Sequence, residues 1–191
     1  ILKPKSVYGS TKLSCEKLIV SKLKDKKINY TILRFFNVAG ASVSGKIGQL
    51  SKGDQLFKNL SIAVKKKKPK INIYGNDYDT KDGTCVRDYI HVSDISHIHI
   101  LALKTIKKLK KSFILNCGYG KGISVLDAVK ELEKQIKKKI KIQYKKRRKG
   151  DMKKIIADNN KIKKLLKWKP NKNSLPKIVR SCIKWERKVN S

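Results

Sequence analysis

Apolar residues recur along this chain with two periods, and the switches between them lay out an alternating series of helices and strands. Leu13, Leu18, Ile19 and Leu23 fall at helical spacing and predict a first helix from residue 7 to about 27. Residues 30–36 form a continuous β-rich apolar run, read as a buried strand that ends in a loop over 37–41. A Gly/Ser/Lys-rich loop over 42–54 precedes a helix through Leu56, Leu60 and Val64, which runs into Lys65, Lys66, Lys67 and Lys68 before Pro69. A short strand is expected over 71–74, a long polar loop over 75–84 and a strand over 86–92. Ser93 is expected to cap the helix carrying Ile95, Ile98 and Leu103. A strand over 113–117 leads through a glycine turn to Ser124, the expected cap of a helix with Val125, Val129 and Leu132. Alternation marks 139–144 as a strand. Asp158 or Asn159 is expected to cap a short helix ending at Trp168, and a last amphipathic helix runs from about 174 to 188. Strands alternating with helices place the chain in the α/β class.

Composition narrows the function classes. With 191 residues, 39% hydrophobic and 33% charged, the chain has enough material for one real core under a very charged surface. No apolar run reaches membrane-spanning length and no signal peptide is visible at the start. The first residue is Ile1, and no strand precedes the first helix, so the chain is expected to be a fragment of a longer one. A net charge of +35 suggests a nucleic-acid partner. Against that, only six of the 49 basic residues are arginine, the side chain whose planar fork suits phosphate and base edges. The lysines are also spread over nearly every helix, and no nucleic-acid motif is present. A lysine-rich nucleic-acid-binding module stands as the rival class, and non-specific binding as a side property. Cys15, Cys85, Cys117 and Cys182 are scattered without a C-x-x-C pair, which fits reduced thiols in a cytoplasmic protein. His91, His97 and His99 cluster, but on a strand and the start of a helix their side chains diverge, so packing roles are expected rather than a metal site.

Three stretches carry candidate chemistry. Tyr8 and Lys12 stand four apart on the first helix and so share a face. An ammonium beside a phenol favours its ionised form, which suits a general base; the plainer alternative is a solvated surface pair. Asn37 opens a loop at a strand's C-terminal end, where open α/β sheets place ligands, or else serves only its own turn. Arg147 and Arg148, adjacent in a loop, could clamp a diphosphate bidentately or form a solvated basic turn. The turn from Gly118 through Gly120 to Gly122 lacks the dinucleotide-binding register and reads as a strand-to-helix turn.

Taken in order, Tyr8-Gly9-Ser10-Thr11-Lys12, Leu33-Arg34-Phe35-Phe36-Asn37-Val38-Ala39-Gly40-Ala41, Ile73-Tyr74-Gly75-Asn76-Asp77-Tyr78, Asp82-Gly83-Thr84-Cys85-Val86-Arg87-Asp88-Tyr89-Ile90-His91-Val92 and Arg147-Arg148-Lys149-Gly150-Asp151 closely resemble the UDP-glucose 4-epimerases. These are extended short-chain dehydrogenase/reductases. The resemblance covers essentially the whole chain and corresponds to the later part of that family's length. It implies a partial Rossmann-like fold: 1–41 would end an NAD-binding domain, and 42–191 would mainly bind the sugar nucleotide, with about 86–110 returning to the first domain. It implies NAD as cofactor, a UDP-sugar substrate, C4 oxidation with rotation of the 4-keto sugar and re-reduction, and a homodimer at full length. By the same resemblance Tyr8 is the base and Lys12 holds the nicotinamide ribose. Phe35 lies by the nicotinamide, Asn37 contacts the UDP-sugar, and Gln55 and Leu56 line the nucleotide site. Tyr74 lies near the uracil, and Arg87, Arg148 and Asp151 meet diphosphate and ribose. Ile155 stands where the family gates N-acetylated sugars. Because the glycine-rich dinucleotide turn is missing, the chain is expected to be inactive by itself.

Overall fold

Of the 191 residues, the computed structural model describes 2–50, 53 and 55–189; positions 51, 52 and 54 of the expected loop over 42–54 lie outside the described residues. The first half runs α1 (Val7–Asp25), β1 (Thr31–Phe35), β2 (Asn37–Ala39), α2 (Leu56–Ala63), β3 (Lys70–Tyr74), β4 (Val86–Arg87), β5 (Tyr89–His91) and α3 (Val92–Leu109). The second runs β6 (Phe113–Cys117), β7 (Ile123–Ser124), α4 (Val125–Ile136), β8 (Lys141–Lys145), β9 (Lys154–Ile155), α5 (Asn160–Leu166) and α6 (Leu175–Val189). Three parallel pairs, β1 with β6, β2 with β5 and β3 with β8, accompany a small sheet in the order β7-β4-β9.

Two apolar cores hold these elements. In one, Phe57 and Leu60 of α2, Val129 and Leu132 of α4, and Ile178 and Val179 of α6 close over Ile71 and Ile73 of β3. Alternation along β3 sends Ile71 and Ile73 to this core and leaves Lys70 and Asn72 exposed. In the other, Ile90, Ile98 and Ala102 pack on Leu115 and Cys117 of β6, with Ile162 and Leu166 of α5 and Trp168 closing the far side. Tyr119 touches both, its ring stacked on Trp168 at 6.1 Å.

Several local expectations change in the fold. The loop expected over 37–41 begins as β2, because Asn37, Val38 and Ala39 find a parallel partner in Tyr89, Ile90 and His91. The strand expected over 86–92 is two pieces broken at Asp88. That fully buried carboxylate accepts hydrogen bonds from the backbone N–H groups of Tyr119, Gly120 and Ala157 at 2.9, 2.8 and 3.3 Å. Two amides of the 118–122 turn, those of Tyr119 and Gly120, are thus committed to a protein carboxylate, which agrees with its reading as a structural turn. His91, not Ser93, caps α3: its Nδ1 accepts from the Ser93 N–H at 3.1 Å. With Nδ1 accepting, Nε2 carries the proton and donates to Ser181 Oγ at 3.1 Å. A side chain at Gly40 (φ +91) would meet this imidazole at 2.7 Å, so glycine is required there for both reasons. Ser124 caps α4 as expected, in a reciprocal box with Asp127. Asn159 holds the cap position of α5 without a side-chain cap bond; its amide donates instead to Gly118 O, and Asp158 Oδ1 accepts from Asn160 N–H. That helix ends at Leu166 rather than Trp168.

Candidate active site

The C-terminal ends of β1 and β3 open onto a cavity of about 960 Å³. This is the edge at which open α/β sheets place ligands. Tyr8, Phe35 and Asn37 line one part of it, and Gln55, Leu56, Tyr74, Arg87, Arg148 and Asp151 line the rest. Residues far apart in sequence therefore share one space.

Tyr8 sits in the first turn of α1, where the Ser6 cap fixes the backbone. Its ring is 73% exposed, and Lys12, one turn on, carries its ammonium over that ring at 5.3 Å from the centroid. Lys12 itself is not on the cavity wall. The helix is tied to the sheet by Arg34 of β1, whose Nε and Nη2 donate to the two carboxylate oxygens of Glu16 at 2.7 and 2.6 Å. This fork makes the Arg34 guanidinium hold its proton more tightly than usual. Phe35, next along β1, leaves its ring half exposed to the cavity and tilted against His99 at 5.5 Å.

At the other end the charge is positive and the aromatics are stacked. Arg87 is buried; it donates to Met152 O at 2.7 Å, Val86 O at 2.9 Å and Asp151 Oδ1 at 3.2 Å. Arg148 lies over the Tyr74 ring, 3.9 Å from its centroid. Arg147 does not join it. Its guanidinium forks onto Asp77, with Nε 2.7 Å from Oδ1, and stacks on Tyr78 at 4.2 Å. The adjacent pair expected to act as one clamp is therefore split, Arg147 held by Asp77 and Tyr78 and Arg148 by Tyr74. Arg87 and Arg148 are the two guanidiniums on the cavity. Ile155, expected as a gate, is not among the lining residues; it stands in β9, paired with Arg87.

Sequence reasoning missed Gln49, Lys58, Cys85, Tyr89, Cys182 and Trp185, which also line the cavity. Tyr89 packs edge-on against Phe57 at 4.8 Å, and burial pushes its hydroxyl well above the ordinary range. Burial likewise raises the Cys85 thiol, and that of Cys182 to about 11, so neither supplies a thiolate nucleophile at neutral pH. Among the described residues no group of three His, Cys, Asp or Glu side chains could hold a metal ion. The cavity thus offers an exposed phenol and flat aromatic surface at one end and two guanidiniums, one of them stacked on a second aromatic, at the other.

The model of one protein family, described as GDP-mannose 4,6 dehydratase, matches residues 1–182. The chain belongs to this family. Among curated proteins it is 39% identical to a UDP-glucose 4-epimerase of Azospirillum brasilense over 97% of the chain and 54% of that protein. Among solved structures, a UDP-glucose 4-epimerase from Stenotrophomonas maltophila with bound NAD and formylated UDP-arabinopyranose superposes with a TM-score of 0.89 at 34% identity, covering 96% of this chain and 55% of that one. One from Bifidobacterium longum in complex with NAD+ and UDP gives 0.87 at 34% identity, covering 98% and 56%. The chain spans about half the length of the relatives it matches. These neighbours bear out the partial Rossmann-like α/β fold. Among the described residues no helix is long and apolar enough to cross a membrane.

Proposed function

We propose that this chain is part of an NAD-dependent 4-epimerase that interconverts UDP-galactose and UDP-glucose. One observation carries the reading: a single cavity joins Tyr8, Phe35 and Asn37 to Tyr74, Arg87 and Arg148. A nucleotide sugar needs that division, with a cationic, aromatic-lined end for uridine diphosphate and a proton-transfer end for the sugar. The exposed faces of Tyr8 and Phe35 suit a planar cofactor ring, and these two with Lys12 would hold the nicotinamide end. When bound, NAD supplies the hydride acceptor and donor at C4. Tyr8 takes the proton from the 4-hydroxyl and later returns it, while Lys12 keeps positive charge beside the phenol. Asn37 and Gln55 orient the substrate. Arg87, held by Asp151, and Arg148, on Tyr74, neutralise the diphosphate.

The division at residue 41 is part of this proposal; Leu33 of β1 joins the cluster of Ile90, Ile95 and Ile98, but so do Leu115 and Ile162, and Ala39 joins the α2–α4–α6 cluster. A cytoplasmic setting is supported by four cysteines outside any disulfide. A homodimer at full length is also part of the proposal, and sedimentation at monomer mass would remove it. By itself the 191-residue stretch is expected to show no turnover, since it carries no glycine-rich dinucleotide turn.

The test is turnover of UDP-galactose by the protein expressed from its entire reading frame, alongside Tyr8→Phe. Removing a general base is expected to lower kcat by about 10²–10⁴. Near-normal turnover by Tyr8→Phe would sink the proposed base. A panel including UDP-pentoses and N-acetylated UDP-hexosamines separates the other sugar epimerases, for which the arabinopyranose complex of the Stenotrophomonas relative gives a reason. Tight, steeply salt-dependent nucleic-acid binding without UDP affinity would favour the lysine-rich rival.

A further inference from the structure

Lys58 and Glu186 form an ion pair at 2.7 Å with side chains only 5% and 6% exposed. A buried ion pair brings little net stability, because removing both charges from water offsets their attraction. An apolar pair of similar size would fill α2 and α6 equally well. What such a pair could not do is make the further contacts: Glu186 Oε1 also meets Lys65 Nζ at 3.6 Å, and Lys58 Nζ also donates to Gln49 O at 3.0 Å. The same carbonyl accepts from Trp185 Nε1 at 3.0 Å. Neighbouring contacts continue the attachment. Gly48 lies so close to the Trp185 indole that a side chain there would meet it at 2.4 Å, and Lys188 Nζ donates to Gly45 O at 3.1 Å. The 42–50 segment is thus fastened to one face of α6. Its end reaches the cavity: Gln49 Nε2 donates to Gln55 Oε1 at 2.9 Å, and both glutamines line the wall. Gln55 occupies the cap position of α2 yet makes no side-chain cap bond, so its amide is oriented by Gln49 instead.

We propose that Lys58 and Glu186 are positioning residues for the nucleotide end of the cavity. Glu186 holds Lys58, Lys58 with Trp185 holds the Gln49 carbonyl, and the Gln49 side chain sets Gln55. This rests on the epimerase reading for the identity of the nucleotide, while the fastening of the loop stands on the geometry alone.

The test uses the protein expressed from its entire reading frame, with Lys58→Met and Glu186→Gln combined so that no lone charge is left buried. One charge-assisted hydrogen bond to the loop is removed, so KM for UDP-galactose is expected to rise about tenfold. Over the same change kcat should stay within about twofold, because the bond serves binding alone. Amide hydrogen exchange should quicken over residues 42–50 and stay unchanged in β6 and α3. Lys58→Arg, whose fork can still bridge carboxylate and carbonyl, should recover most of the KM. Unchanged KM, or faster exchange throughout the protein with kcat and KM both damaged, overturns the positioning role. If the unsubstituted protein neither turns over UDP-galactose nor binds UDP, the epimerase reading fails instead, and the exchange of 42–50 alone decides whether the pair fastens the loop.

Discussion

α1 and α6 both reach the cavity, through Tyr8 and Trp185, but they are held in place by different physics. α6 buries Ile178, Val179, Ile183 and Glu186 along one face. α1 is longer but has no fully buried residue: Leu13, Val20 and Leu23 are only half-buried, Leu18 and Ile19 face solvent, and the Arg34–Glu16 fork ties it to β1. A helix in water draws most of its stability from a packed apolar face rather than from its own backbone. The α6 side of the cavity therefore rests on a fully buried core, while the helix carrying the proposed base rests on half-buried contacts and one ion pair.

That contrast can be broken by substitution. The largest effect should come from Ile178→Ala, which opens a hole in the α2–α4–α6 core and should cost about 2–5 kcal/mol by urea denaturation. Arg34→Met, which leaves Glu16 without its fork, should cost about 1–3 kcal/mol, and exchange should quicken first in α1. A loss spread evenly over the chain would show that α1 is not separately held.

Acid sharpens the comparison further, because His91 belongs to the α6 side. Burial holds its imidazole below the ordinary value of 6.5, so the folded protein takes up that proton later than the unfolded chain. Above that value both states are neutral there and nothing is lost. As pH falls below it, the unfolded state binds more protons and stability drops, by up to about 1.4 kcal/mol per pH unit. His91→Gln should flatten the decline in urea midpoint between neutral and mildly acidic pH. An identical decline in the variant would remove His91 as its source. Smallest of all, Leu18→Ala, on a side of α1 that is exposed in this 191-residue stretch, should change the stability of the stretch by no more than about 0.5 kcal/mol in urea.

Short-range signals were read well from the chain. The Ser124 cap acts within one helical turn, and the short strand over 71–74 shows in its own apolar residues. The start of α3 was misjudged because an imidazole nitrogen did the work usually done by a hydroxyl. The β2 strand was missed because three residues become a strand only when Tyr89, Ile90 and His91 are beside them. Most residues assigned by family resemblance do converge on the cavity, whereas Lys12 and Ile155 stand off its wall.

What the sequence by itself determined is the order of the helices and the longer strands, the α/β class and the family, since period, caps and motifs are local and linear. The tertiary structure alone decided which of two adjacent arginines faces the cavity. It also decided that Asp88 holds the glycine turn, and that Lys58 and Glu186, at opposite ends of the cavity-forming region, meet inside the protein. Partners of a buried charge are chosen by what the fold brings within hydrogen-bond reach, and no spacing along the chain records that distance.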